Sequence, residues 1–173
     1  METENRTEGW SRKIYLELTP PSLEDNVSDQ ERILRALREE YGEAGCSLRV
    51  LQKFYPLCFQ SEWKITVLLV WNGKCWELAD IEPGDTTGEH YGFCADLGST
   101  TLAGELVDMN TGKVLWQKSV FNHQIDYGQD ILTRIFYGKD NPLKLEEIRK
   151  ATVDSFLELL KKMEQDTGIS GEQ

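Results

Sequence analysis

The sequence lacks both a long apolar run and an excess of positive charge. Its densest apolar stretch covers only residues 67–71, whereas a membrane helix needs roughly 20 apolar residues. It carries 19 Lys and Arg against 30 Asp and Glu, a net charge of −11. Nucleic acids and anionic membranes select basic surfaces, so we expect neither as a partner. Residues 1–8 are polar and do not resemble a secretory signal, which predicts a cytoplasmic protein.

Cysteine is also scarce, and its spacing is informative. The four cysteines are Cys46, Cys58, Cys75 and Cys94, with no Cys-x-x-Cys pair among them. Zinc sites and iron–sulfur clusters use closely spaced cysteine ligands, so we expect no such site. The sequence predicts four reduced and mostly buried thiols. With 173 residues, the chain has room for one ordinary domain or two small ones.

The first half of the sequence alternates β-type and helical patterns. Apolar residues alternate over 14–18 and predict a strand. Ser28 and Glu31 have the spacing of a capping box, which predicts a helix that ends at Gly42. A short strand is predicted near residues 48–51.

A hairpin signal follows. Two β-rich runs, 63–71 and 74–81, flank Asn72-Gly73, a pair that favours tight hairpin turns. Residues 12–82 therefore read as a small α+β domain, preceded by a disordered lead-in at 1–11. The Pro- and Gly-containing segment 83–90 is predicted to be a linker.

The second half has a different order of elements. Strands are predicted over 93–96, 101–107 and 114–121, and a helix over 129–137. Asn141-Pro142 is typical of the start of a further helix, which ends at Gly168. The predicted order is β-β-β-α-α.

The turn between the first two of these strands carries a possible phosphate site. Gly98 has no Cβ, so a ligand can approach its backbone closely. Ser99, Thr100 and Thr101 supply amide and hydroxyl donors, and Asp96 supplies a carboxylate for a hard cation such as Mg²⁺. An ordinary hairpin turn would use the same residue types, so both interpretations stay open on these residues alone.

The wider context resembles a known family. The motifs at 18–26, 91–101, 111–115 and 122–135 together resemble the reductive activators of corrinoid proteins. The resemblance implies a [2Fe–2S] ferredoxin domain, a middle domain and an ATPase domain with the actin-like, RNase H-like fold shared by sugar kinases and Hsp70. It also implies an activity, in which ATP hydrolysis drives reduction of an inactive Co(II) corrinoid to Co(I).

The same resemblance implies roles for individual residues. Asp96 would hold Mg²⁺ through water, and Gly98, Ser99, Thr100 and Thr101 would face the ATP phosphates. A second set would line the nucleotide cleft or an interface, with an ordinary loop and helix cap as the alternative: Asn122, Gln124, Tyr127 and Asp130. His123 stands where the family usually has proline, and an exposed loop histidine is expected there.

The sequence also departs from the family pattern. No segment has the cysteine spacing of a ferredoxin domain, and residues 91–173 are too few for two lobes around a nucleotide. We therefore expect a middle (linker) domain over 12–82 and a truncated ATPase start over 91–173, inactive alone. The expected partner is a corrinoid protein, with a possible homodimer in the complete protein. The alternative is a non-catalytic module that docks a partner protein without nucleotide chemistry.

Overall fold

The computed structural model describes residues 9–171, which form two compact units. The first unit extends to His90 and includes Met109–Thr111. The second unit comprises Tyr91–Asp108 and the chain from Gly112 onward. Within residues 9–171, no helix is long and apolar enough to cross a membrane.

The first unit is a four-stranded sheet with two helices. In chain order its elements are β1 (Ser11–Glu17), α1 (Asp29–Tyr41), β2 (Gly45–Cys46), α2 (Leu48–Gln60), β3 (Lys64–Trp71) and β4 (Trp76–Pro83). The strand order is β1-β3-β4-β2, in which only β2 and β4 pair in parallel. The lead-in predicted for residues 1–11 lies mostly outside the described residues, and its last residue, Ser11, begins β1.

The helix predicted after Ser28 is confirmed. The Ser28 hydroxyl accepts a hydrogen bond from the Glu31 amide at 3.2 Å, which satisfies one of the donors left free at a helix start. Gly42 ends the helix with φ of 70°, a conformation that glycine adopts without a steric penalty. The buried side chains of both helices and two strands form one core: Ile33, Leu37, Val50, Phe54, Cys58, Ile65, Val67, Leu69, Leu78 and Ile81.

The strand predicted near residues 48–51 is wrong, because Leu48–Gln60 is helix α2. Val50, Phe54 and Cys58 recur every four residues and are all buried, so one helical face enters the core. The short strand of this region is Gly45–Cys46 instead. The expectation of mostly buried thiols is also wrong, since Cys58 alone is buried among the four free cysteines, while Cys94 is exposed.

The predicted hairpin at Asn72-Gly73 is confirmed, with a four-residue loop. Trp71 pairs with Trp76, so residues 72–75 form the connection. The Asn72 Oδ1 atom accepts hydrogen bonds from the amides of Lys74 and Cys75 at 3.0 and 3.1 Å. This local side-chain bonding is typical of asparagine in turns.

The segment after β4 is bonded to the sheet of the first unit. The Gly84 amide donates to the Lys64 carbonyl at 2.9 Å. The buried Thr66 hydroxyl donates to the Gly84 carbonyl at 2.7 Å and accepts from the Thr86 amide at 2.9 Å. These bonds tie residues 84–86 to β3.

The second unit has the predicted order of three strands and two helices. Its elements are β5 (Tyr91–Leu97), β6 (Thr101–Asp108), β7 (Lys113–Phe121), a 3₁₀ helix (His123–Tyr127), α3 (Ile131–Gly138) and α4 (Pro142–Thr167). The strands form an antiparallel sheet in the order β5-β6-β7. The predicted cap and stop of the last helix are confirmed, since Asn141 accepts from two helix amides and Gly168 ends the helix with φ of 73°. The 3₁₀ helix is not among the predicted elements.

The two faces of this sheet have different surroundings. Helix α4 packs on one face through Leu159 and Met163, against Leu102, Leu106 and other core residues. Gly104 permits this approach, because a Cβ there would lie 2.7 Å from the Leu159 Cδ2 atom. Among residues 9–171, no helix of the second unit packs on the opposite face.

Candidate functional site

The turn between β5 and β6 is tight and requires glycine at its first residue. The Gly98 amide donates to the Thr101 carbonyl at 2.9 Å. A Cβ on Gly98 would lie 2.7 Å from that carbonyl oxygen, a backbone atom. Any side chain at this position would therefore displace the turn.

The polar groups of the turn are available to a ligand. The amides of Ser99 and Thr100, and the hydroxyls of Ser99, Thr100 and Thr101, donate no hydrogen bond to any of residues 9–171. All three of these residues are exposed. The Gly98 amide already donates within the turn, so Gly98 offers a ligand no donor. Its role is that the absent side chain leaves room for the tight turn. Several unpaired donors in one turn suit an anion such as phosphate.

Asp96 lies beside this turn, on the sheet face that α4 leaves free. It pairs with Ala103, and Leu97 pairs with Leu102. Because side chains alternate along a strand, Asp96 and Thr101 share the open face and Leu97 points to the α4 side. Asp96 is exposed.

The donor set at Asp96 restricts the kind of cation it suits. Within residues 9–171, no three His, Cys, Asp or Glu side chains cluster as metal ligands. A single carboxylate does fit Mg²⁺ that arrives with phosphate oxygens and water as its other ligands.

The cysteines do not fit an iron–sulfur cluster. Cys58 lies in the core of the first unit, whereas Cys94 lies on the edge strand of the second unit. A [2Fe–2S] cluster needs four ligands around one site, and residues 9–171 offer no such group.

Asn122 is hydrogen-bonded to two backbone carbonyls of the turn. Its side chain is buried, and its Nδ2 donates to the Gly98 carbonyl at 2.8 Å. Its backbone amide donates to the Thr100 carbonyl at 2.9 Å, and its Oδ1 accepts from the Gln124 amide at 3.0 Å. The structure thus brings Asn122 and Gln124 to the turn, as part of one hydrogen-bonded unit.

Tyr127 and Asp130 lie elsewhere in this segment. The ring of Tyr127 packs against Tyr137, with centroids 5.2 Å apart. Asp130 is the N-cap of α3, and both oxygens accept hydrogen bonds from Thr133, one from the amide and one from the hydroxyl, each at 2.8 Å. The bond from the Thr133 amide is the main reason that the pKa of Asp130 is lowered.

His123 has partners in α4. Its amide donates to the Ser155 hydroxyl at 2.9 Å, and its Nε2 lies 2.9 Å from a carboxylate oxygen of Glu158. The pKa of Glu158 is lowered, first by the hydrogen bond from Lys162 and then by His123. The expectation of an exposed loop histidine is therefore wrong, because these contacts half-bury the residue.

A cavity of about 340 Å³ adjoins the turn. Five aliphatic side chains and five further residues line it: Leu97, Ile131, Ile135, Leu145 and Ile148, then Gly98, Ser99, Asn122, Gln124 and Arg134. Arg134 lines this cavity although the sequence predicts no role for it. The only feature of the sequence that could have indicated a role for Arg134 is its position as a charged residue among the apolar residues of a short predicted helix.

Two family models match the chain, one for each unit. The model described as the RACo linker region matches residues 8–88, and the model described as the RACo middle region matches residues 91–173. The name middle region therefore falls on the second unit, whereas the sequence analysis gave it to residues 12–82.

Two individual proteins are similar to the chain. The corrinoid activation enzyme RamQ of Eubacterium limosum is 36% identical over 70 residues, which are 40% of this chain and 12% of RamQ. A solved reductive activator for corrinoid, iron-sulfur protein matches 98% of this chain with 27% identity and a TM-score of 0.79. The chain spans 27% of that protein's length.

Proposed function

Because the chain belongs to the reductive activators of corrinoid proteins, we propose that it forms part of a protein that uses ATP to return a Co(II) corrinoid to Co(I). Its partner would be a corrinoid protein, as the name of RamQ suggests. The β-β-β-α-α order of the second unit supports an assignment as the first part of an actin-like ATPase lobe.

The observation that carries the proposal is the turn 98–101. It has unpaired amides and hydroxyls, a glycine whose side chain would clash, and an exposed carboxylate on the neighbouring strand. In the proposal, Ser99, Thr100 and Thr101 donate to the phosphates and Asp96 orients a Mg²⁺-bound water. Bound ATP would supply the free energy for the electron transfer.

This arrangement predicts weak binding by the 173-residue chain. A pocket must bury most of a ligand to bind it tightly, and the turn is exposed. Each neutral hydrogen bond contributes only about 1 kcal/mol, and association costs several kcal/mol. We therefore expect a Kd for Mg·ATP in the millimolar range.

Amide NMR of the labelled chain titrated with Mg·ATP tests the proposal. We expect the largest shifts at Ser99 and Thr100, a weaker dependence on Mg²⁺ in Asp96→Ala, and loss of the shifts in Gly98→Ala. Asp154→Ala is the matched control, because it removes an exposed carboxylate from α4. Shifts centred away from the turn, or an Asp96→Ala titration identical to that of Asp154→Ala, would contradict the assignment.

A protein-docking role is the second candidate function. It is favoured by the apolar side chains that α3 exposes, which include Leu132 and Phe136. Docking alone would be supported if the chain binds a partner protein through this surface and the amide signals of residues 98–101 do not shift with Mg·ATP.

A further inference from the structure

Helix α3 exposes its apolar side chains to solvent and buries its arginine, the reverse of the usual arrangement. Ile131, Leu132, Ile135 and Phe136 are between 56 and 68% exposed, whereas Arg134 is 4% exposed and is the buried residue of the helix. A surface helix normally turns its apolar residues inward and its charges outward. A cluster of exposed apolar side chains is typical of a surface that another molecule covers.

The buried arginine has incomplete hydrogen bonding. Its Nε donates to the Gly128 carbonyl at 2.7 Å, and its Nη1 makes a long contact of 3.4 Å with the Gln124 side-chain oxygen. Its Nη2 is buried and has no hydrogen-bond partner among residues 9–171.

The charge of this guanidinium also lacks a direct partner. No carboxylate among residues 9–171 lies within ion-pair distance of it. The acidic group nearest in sequence, Asp130, has both oxygens bonded to Thr133 and interacts electrostatically with Arg134 only from beyond ion-pair distance. A guanidinium stays protonated in proteins, and a buried charge without a counterion is unfavourable.

Arg134 lines the cavity next to the turn, and its guanidinium is the group whose buried Nη2 has no partner among residues 9–171. The walls are aliphatic and include Ile131 and Ile135 of α3. The volume of about 340 Å³ is at the lower end of ligand-binding cavities. The site therefore combines one unsatisfied cation with an apolar wall.

We propose that this cavity is a docking site for a protein segment that presents an apolar side chain next to a carboxylate. The apolar group would fill the cavity, and the carboxylate would pair with the Arg134 guanidinium. The helices that line the cavity expose further apolar side chains, Leu132 and Phe136 on α3 and Leu143 on α4, which a small acid in the cavity would leave uncovered. A second copy of the chain is disfavoured, because both copies would carry a net charge of −11.

The proposed docking site adjoins the proposed nucleotide contacts and shares Gly98 and Ser99 with them. Leu97 lines the cavity on the α4 side of the sheet, whereas Asp96 lies on the opposite face. The two proposals stay distinguishable, because peptide binding at the cavity is tested without ATP or Mg²⁺ and Asp96 does not line the cavity.

A phage-displayed library of random twelve-residue peptides, selected against the full chain without nucleotide, tests the docking site. We expect enriched peptides with a large apolar residue close to Asp or Glu. The enriched peptide and its amide analogue, with Asn or Gln replacing the acid, are then compared by fluorescence anisotropy. The amide analogue should bind at least about tenfold more weakly, a result that involves no change to the protein.

Protein variants give the second arm of the experiment. Arg134→Gln should weaken peptide binding at least about tenfold, whereas Arg149→Gln, on the exposed side of α4 and paired with Glu146, should change it less than about twofold. Ile135→Ser should weaken binding about tenfold and leaves the fold intact, because Ile135 is exposed.

Three results would overturn the proposal. They are equal affinity for the acidic peptide and its amide analogue, binding that Ile135→Ser leaves unchanged, and no enrichment from the library. A dimer that buries α3 in sedimentation experiments would replace the proposed segment with a second copy of the chain. Binding of acetate or hexanoate with the affinity of the peptide would assign the site to small acids instead.

Discussion

Each unit buries one arginine, among residues 9–171, and the two side chains differ in their partners. In the first unit, Arg32 donates to the Asp25 carboxylate at 2.6 Å and to the carbonyls of Asp25 and Val27. In the second unit, Arg134 has one short bond, to the Gly128 carbonyl, and no carboxylate partner. Each guanidinium leaves one buried nitrogen without a hydrogen-bond partner among residues 9–171, Nε in Arg32 and Nη2 in Arg134. The difference is that Arg32 has a carboxylate partner within its unit, whereas Arg134 has none within ion-pair distance.

The apolar residues show the same difference. Ile65, Val67 and Leu69 of β3 are fully buried beneath α1 and α2. In the second unit, Phe121 of β7 and Phe136 of α3 are exposed. All the candidate site residues also belong to the second unit. The first unit also exposes large side chains, among them Tyr55 and Phe59 of α2. The difference is that the exposed apolar groups of the second unit include residues that line the cavity beside the candidate site, such as Ile131 and Ile135.

Thiol chemistry should give the largest contrast between the units. Burial raises the pKa of Cys58 to about 11, so about one thiol in a thousand is ionised at pH 8. Cys94 is exposed on the edge strand β5. We expect iodoacetamide to modify Cys94 at least about a hundredfold faster than Cys58, as measured by peptide mass spectrometry over time. Comparable rates in the native protein would show that the first core opens readily.

Truncation of one phenylalanine in each unit compares a buried side chain of the first unit with an exposed side chain of the second. Phe54→Ala should lower the free energy of unfolding by about 3–5 kcal/mol, because it leaves a cavity in the first core. Phe136→Ala should change it by less than about 0.5 kcal/mol, since this side chain is already in solvent. Urea denaturation of both variants gives the measurement. A large loss for Phe136→Ala would mean that α3 contributes to the core of the second unit.

The sequence correctly predicted the helix starts and the turn that depend on contacts between residues close together in the chain. The Ser28 cap, the Asn72-Gly73 turn and the Asn141-Pro142 start each depend on side-chain bonds within a few residues, and each is confirmed. Helix α2 was missed because residues 48–51 are a short apolar run, which fits a strand as well as a helix. Pro56 lies within the helix, where proline is normally unfavourable, and the spacing of Val50, Phe54 and Cys58 was the signal that favoured a helix.

The site was predictable only in part, for a different reason. The glycine and hydroxyl residues at 98–101 are recognisable in the sequence. The burial of Arg134 is not, because periodicity places apolar residues inward and charges outward. Its position depends on bonds to Gly128 and Gln124, which precede it by six and ten residues. Such contacts become visible only once the 3₁₀ helix and α3 are placed together.

Replacing each buried arginine with methionine should sharpen the contrast between them. Arg32→Met removes an ion pair and two carbonyl bonds, and should lower the free energy of unfolding by about 2–3 kcal/mol. Arg134→Met removes one short bond and also removes an unpaired buried charge, so the loss should be about 1 kcal/mol or less. Thermal and urea unfolding measure both. Equal losses would contradict the view that Arg32 has stronger partners within its unit than Arg134 has.

The smallest expected effect is a difference in the pH dependence of two helix caps. The Thr133 amide lowers the pKa of Asp130, so the unfolded chain binds this proton more readily than the folded chain. The stabilising contribution of Asp130 is therefore present above the unfolded carboxyl pKa of about 3.9 and is lost as the pH falls through the folded value. Ser28 caps α1 with a hydroxyl that does not ionise in this range. Asp130→Ala should lower the melting temperature at pH 7 and have a shrinking effect between pH 5 and pH 3, while the effect of Ser28→Ala stays constant. Melting curves of both variants and the parent chain across this range give the comparison, and a pH-independent effect of Asp130→Ala would rule out the charged cap.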